Sequence, residues 1–244
     1  MADFRVLPAY FSGDFGSGIE TRISYLPLIL TTQSRRNELK VTVPFLSIQT
    51  DQPVTFAGGE VIPSGGGGRQ TETGLGDVVI QDDFYFKEGG GRSPWLFAGL
   101  RIKLPTGSEE TGLGTGKTDY GPGGGIIQPL GSRWSLLGEI RYVVRGDPPA
   151  VDYRNTLWLS AGTQWRMGES SWLNLFYDRG ESVIEGRAAL EDVSLGYDRQ
   201  LSPVTRLRTA FFAGLSETAE DYGLSVGFSF RSAPRSHTES PSSS

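Results

Sequence analysis

Apolar and polar residues alternate with a period of two through most of the chain, while helical periodicity is scarce. In YGLSVGFSF (222–230), Tyr222, Leu224, Val226, Phe228 and Phe230 share one face, and Gly223, Ser225, Gly227 and Ser229 the other. RWSLLGEIRYVVR (133–145) groups Trp134, Leu136, Gly138, Ile140, Tyr142 and Val144 against Arg133, Ser135, Glu139, Arg141 and Arg145. TLWLSAGTQWR (156–166) sets Leu157, Leu159, Ala161, Thr163 and Trp165 opposite Trp158, Ser160, Gly162 and Gln164. In WLFAGLRIKL (95–104), Leu96, Ala98, Leu100, Ile102 and Leu104 oppose Trp95, Phe97, Gly99, Arg101 and Lys103. Extended this way, the pattern predicts twelve strands, approximately 3–12, 19–32, 37–49, 75–87, 93–105, 118–131, 133–145, 153–166, 170–180, 186–199, 204–215 and 219–231.

The connections alternate too. Those after the even strands are tight, as in TQSRR, EGGGR and MGE, whereas those after the odd strands are longer and rich in glycine or acids. The longest runs over about 50–73. A meander whose two rims face different environments gives this asymmetry, and outer-membrane barrels pair short periplasmic turns with longer extracellular loops. An even strand count also places both chain ends at the short-turn rim. The predicted fold is all-β: a closed antiparallel up-and-down transmembrane β-barrel of about 12 strands, with 1–231 forming the barrel and 232–244 a disordered polar tail. A soluble barrel alternates as well, but with its apolar face inward. The two are told apart by whether Leu100, Leu157 and Leu159 face out.

Two features favour the membrane. The polar face carries charges of both signs: Arg101, Lys103, Glu139, Arg141, Asp192, Asp198, Arg206 and Arg208 would line a lumen. Trp95, Trp158 and Trp172 share that inward register, where they fill the bore or stack on a ligand. Aromatics of the apolar register gather towards strand ends, namely Trp134, Tyr142, Trp165, Tyr177, Tyr197, Tyr222 and Phe230. Rings there suit the headgroup level as a membrane girdle. The bore of a twelve-strand barrel lies between filled eight-stranded barrels and open 16–18-stranded porins. Inward side chains therefore either select what passes or pack into a network that plugs the lumen.

Composition removes other classes. The net charge is −5 with both signs dispersed, so no basic nucleic-acid stripe exists. Cysteine is absent, and the single histidine, His237, stands in the Ser/Pro-rich tail, away from any rim where a hydrolase would need it. No cofactor or metal site is expected, and no enzymatic activity. MADFRVLPAY is no signal peptide, which fits a mature outer-membrane form with an added start Met. GLGTGKT (112–118) looks like the end of a phosphate-binding loop, but Thr111 stands where the first glycine is required. DYGPGGG follows in place of a helix. The segment is expected to be the tip of an outward loop, its glycines making turns and Lys117 near the mouth. The acids of SEETGLGTGKTD (108–119) read as a solvated loop rather than a cation site.

ISYLPLIL (23–30), LKVTVPFLSI (39–48), TGLGDV (73–78), GLRIKLPTG (99–107) and GLGTGKTDYG (112–121) together resemble a bacterial outer-membrane family named after phenol meta-cleavage degradation genes. The resemblance is most specific over about 73–145. It implies an outer-membrane barrel in a Gram-negative bacterium that takes up aromatic or other small compounds. YGLSVGFSF also resembles the C-terminal recognition strand of such proteins, closing on Phe230, although RSAPRSHTESPSSS continues beyond it. The expected partners are the lipid bilayer, lipopolysaccharide, the barrel-assembly machinery through that strand, and a small-molecule substrate. The expected function is passive uptake through the lumen. The alternative is a non-conducting barrel acting through its extracellular loops, chiefly the long one near 50–74.

Overall fold

The computed structural model describes residues 1–57, 59–63, 68, 70–148 and 151–232, so His237 and the tail after Ser232 lie outside the described residues. The strands are β1 (Ala2–Val6), β2 (Ala9–Gly13), β3 (Thr21–Gln33), β4 (Asn37–Thr50), β5 (Val54–Ala57), β6 (Glu60–Pro63), β7 (Gln70–Leu75) and β8 (Val78–Lys87). They continue as β9 (Trp95–Leu104), β10 (Asp119–Pro129), β11 (Trp134–Val143), β12 (Thr156–Arg166), β13 (Ser171–Gly180), β14 (Leu190–Gln200), β15 (Thr205–Gly214) and β16 (Tyr222–Arg231). All pairings are antiparallel, and every strand belongs to one sheet except the separate hairpin β5–β6. β1 and β2 are halves of the first wall strand and β7 and β8 of the fourth, which makes twelve. The last strand meets the first, with Phe4 opposite Phe230 and Tyr10 opposite Leu224, so the sheet closes on itself. Closure leaves no unpaired edge, as a wall in lipid requires.

Period-two alternation decides which side chains face out. Leu100, Leu159, Leu224 and Val226 keep 42%, 37%, 52% and 56% of their surface exposed on the outer face. Lys103, Arg141 and Asp198, from the opposite register, are buried inside. The apolar register thus points outward, which rejects the soluble barrel. Inside, glycines sit beside rings of neighbouring strands. A Cβ at Gly125, Gly162, Gly223 or Gly180 would lie 2.5, 2.3, 2.4 or 2.6 Å from the ring of Phe97, Phe176, Phe11 or Trp158. The rings therefore lie against the wall over these glycines.

Where the wall departs from the predicted strands, proline or a glycine break is the cause. The run 3–12 is broken at Leu7 and Pro8, because Pro8 has no amide to donate to the ladder. Its carbonyl accepts instead from Val226 N (3.2 Å) and Ser225 Oγ (3.0 Å). Pro27 and Pro44 pair directly opposite each other on β3 and β4. Gly76, in the gap between β7 and β8, donates to the carbonyl of Pro44 at 2.8 Å. Pro8, Pro27, Pro44 and Gly76 thus lie on four adjacent wall strands, the first and fourth of which are broken there while β3 and β4 run through. The fourth wall strand also starts at Gln70 rather than near 75, pairing with β4 through Thr50.

Candidate functional site: a charged bore beneath a mouth hairpin

The longest connection does not project outward as expected. Its hairpin β5–β6 folds back into the long-loop rim, where Val54, Ala57, Glu60 and Val61 are buried. Val54 and Val61 pack with Phe15, Ile23, Leu46, Ile48 and Leu113, while Ala57 and Ile62 pack with Tyr153 and Val183. These two apolar clusters supply the driving force that turns the loop inward. One buried acid then pins it. Glu60 accepts from Ser182 Oγ (2.8 Å), Val183 N (3.0 Å) and Arg187 Nη1 (2.8 Å). Arg187 also donates to the carbonyls of Val61 (3.2 Å) and Phe15 (2.6 Å). Phe15 has a left-handed φ of 50°, a conformation that is costly for a bulky residue and is held here by its burial.

GLGTGKT follows the hairpin inward, so it is not an outward tip. Leu113 and Thr115 are buried, and Phe56 N donates to the carbonyl of Gly112 at 2.7 Å. Gly112 has φ +70°, and a Cβ there would meet the carbonyl oxygen of Val54 at 2.0 Å. Only glycine permits both the turn and that approach. Lys117 is half-buried beside Gly146, on the approach to β10. The glycines serve loop-against-hairpin packing, a role that spacing alone did not reveal.

Beneath the hairpin lies a cavity of about 450 Å³ lined by charged residues from β4 to β13. Of the lumen candidates, Arg101, Lys103, Glu139, Arg141 and Trp158 line it. Lys103 Nζ is 3.1 Å from Asp77, 3.2 Å from Asp119 and 2.5 Å from Thr115 Oγ1. Asp119 also takes Arg145 at 2.9 Å and the amide of Gly146 at 3.1 Å. Arg141 pairs with Glu139 at 2.7 Å and Asp83 at 3.6 Å, and donates to the Gly121 carbonyl at 2.7 Å. These ion pairs are buried among one another, which is what makes so many charges tolerable inside.

The other lumen candidates sit apart. Asp198, Arg206 and Arg208 form a second cluster towards the short-turn rim, with Arg208 3.4 Å and Arg206 3.9 Å from Asp198. The Arg206 guanidinium lies 4.4 Å over the ring of Trp172, so that tryptophan packs on a cation. Trp95 meets Tyr85 edge to face as filler near the same rim. Asp192 lies next to Asp178 across β13–β14. The sequence reading left Lys40, Asp77, Asp119 and Arg145 out of its lumen set, although it placed Arg145 on the polar face of its strand. All four hold inward parity, Lys40 and Asp119 within their strands, and Asp77 and Arg145 just beyond strand ends but in step with Gln81 and Arg141.

A second, apolar cavity of about 250 Å³ adjoins the hairpin between Phe11, Phe15, Ile23, Tyr25, Phe56 and Val61, with Glu220 at its border. Burial pushes the Glu220 carboxyl above the usual carboxylate range. On the outer face the girdle candidates fall at two levels. Tyr142, Tyr177 and Tyr222 are exposed on the long-loop half, and Trp134 and Phe230 towards the short turns. Trp165 stacks on Trp134 at 5.5 Å, and Tyr197, also on the lower level, shares a hydrogen bond with Ser171.

Closed wall, apolar exterior and charged interior define an outer-membrane β-barrel of channel and porin architecture. The chain belongs to the family described as "Putative MetA-pathway of phenol degradation", whose model matches residues 30–231. Among solved structures it is similar to the COG4313 outer membrane channel from Pseudomonas putida F1, at 14% identity, 94% coverage of both chains and a TM-score of 0.69. It is also similar to the NanC porin, at 10% identity, 93% and 99% coverage and a TM-score of 0.61. The CymD monoaromatic hydrocarbon channel follows at 9% identity, 96% and 88% coverage and a TM-score of 0.53. No curated protein matches the chain in sequence.

Proposed function

We propose that this protein is a passive channel through which small solutes cross the outer membrane by way of the barrel lumen. The observation that carries this reading is the cavity of about 450 Å³ lined by ionised groups inside a closed wall. A barrel serving only as a structural anchor gains little from charges held at such a desolvation cost. Arg101, Lys103, Glu139, Arg141, Trp158 and Asp192 would form the upper solute path, and Asp198, Arg206 and Arg208 the lower. Uptake of aromatic compounds is supported by the family description and by the monoaromatic hydrocarbon channel among the similar folds.

The bilayer would be engaged by the exposed apolar band, with Trp134, Trp165, Tyr197 and Phe230 as one girdle and Tyr142, Tyr177 and Tyr222 as the other. Lipopolysaccharide would meet the long-loop rim, and β16, ending on Phe230, would be read by the assembly machinery. We assign no enzymatic step. The loop-binding alternative loses its main support, because the long connection turns inward. Proteoliposomes test the channel directly: uptake of labelled small solutes should exceed that of protein-free vesicles and should not saturate at micromolar concentration. Uptake equal to that of empty vesicles contradicts a channel.

A further inference from the structure

The cations that line the central cavity are not equivalent. Lys103, Arg141 and Arg145 are each locked to carboxylates. Lys40 and Arg101 have neither an ion pair nor a hydrogen bond among the described residues, yet both line the cavity. Arg101 lies deep in the bore and is nonetheless exposed, because its surface faces the cavity. The two are joined through one intervening strand, Lys40 opposite Gln81 and Gln81 opposite Arg101. Strand spacing puts their backbones about 10 Å apart, within reach of two long side chains converging on one group. Opposite them, roughly halfway round the twelve-strand wall, Asp178 and Asp192 stand on β13 and β14, likewise without an ion pair among the described residues.

From this asymmetry we infer that Lys40 and Arg101 form an anion site that takes the carboxylate of a small organic acid crossing the lumen. The inference rests on the channel reading and narrows its substrate class. Two unpaired cations in a low-dielectric wall attract an anion far more strongly than they would in water. A bidentate guanidinium matches the planar carboxylate, and the ammonium supplies a second point charge. Asp178 lines the same cavity from the far side, so a second negative charge on the solute would meet repulsion. Monocarboxylates are therefore favoured over dicarboxylates, and the field across the bore orients the acid group towards β4 and β9.

The test uses the full-length barrel in detergent and, in parallel, in a planar bilayer. Calorimetric titration with benzoate, and with its uncharged counterpart benzyl alcohol, measures binding without requiring conduction. Benzoate should bind wild type more tightly. Lys40→Gln with Arg101→Gln should weaken benzoate about tenfold or more and leave benzyl alcohol unchanged. Arg101→Lys should retain part of the effect. Neither side chain makes an ion pair or hydrogen bond among the described residues, and unchanged heat-modifiable migration verifies that the double variant folds. In a salt gradient, wild type should be anion-selective and the double variant should lose that preference. Charge-dependent benzoate binding without any conductance would support the site while removing the channel. Equal benzoate affinity in wild type and the double variant overturns the inference, even where the channel conducts.

Discussion

Glu60→Ala should open the mouth of the barrel and raise its mean conductance. The variant removes the acceptor of three hydrogen bonds that hold β6 to Ser182, Val183 and Arg187. Breaking a buried, charge-assisted arrangement of this kind costs about 3–5 kcal/mol, which changes the ratio of inward to released hairpin by about 10² to 10⁴. Arg187 then loses its carboxylate and keeps only the carbonyls of Val61 and Phe15. Apolar packing of Val54, Ala57, Val61 and Ile62, the Arg187–Val61 bond and the Phe56–Gly112 backbone bond remain to hold the hairpin. Single-channel recording should show a larger or noisier open state, and limited proteolysis should cut near the turn sooner. Glu60→Gln keeps the shape and part of the bonding, so it should fall between wild type and alanine. A conductance that is identical in all three would mean that the hairpin does not limit passage.

Asp119→Ala should destabilise the barrel more than any other single change among the lumen charges. Asp119 holds Lys103 at 3.2 Å and Arg145 at 2.9 Å, with all three side chains under 10% exposed. Its loss leaves Arg145 without a carboxylate and Lys103 with Asp77 alone. Stranding a buried cation costs about 3–5 kcal/mol. The midpoint of the heat-induced gel shift in detergent should fall clearly. By contrast, Arg101→Gln should shift it little, because Arg101 has no ion-pair or hydrogen-bond partner among the described residues to strand. Equal midpoints for the two variants would contradict the distinction between paired and free lumen cations.

Much of the wall was legible because alternation in a one-layer closed sheet is a local signal. Leu100 beside Arg101, or Ile140 beside Arg141, reports its own orientation without help from distant chain. The loop asymmetry likewise follows from neighbouring residues, and it agreed with the even strand count. The mouth was not legible. VTFA and EVIP are too short to show a period, and what turns them inward is contact with Phe15, Leu46, Tyr153 and Val183 from four other parts of the chain. Glu60 meets Arg187 across 127 positions. GLGTGKT was excluded as a phosphate loop on spacing, yet its packing on β5 depends on that same distant hairpin. The break at Pro8 was present in the sequence, but the apolar run around it masked the missing donor.

Passage of solute through the lumen is tested most directly by planar-bilayer recording of the purified, detergent-folded protein. Discrete conductance steps are expected from wild type, larger when the hairpin is released by Glu60→Ala. A correctly folded, heat-modifiable barrel that inserts and yet carries no current, with or without the hairpin held in place, would contradict the channel.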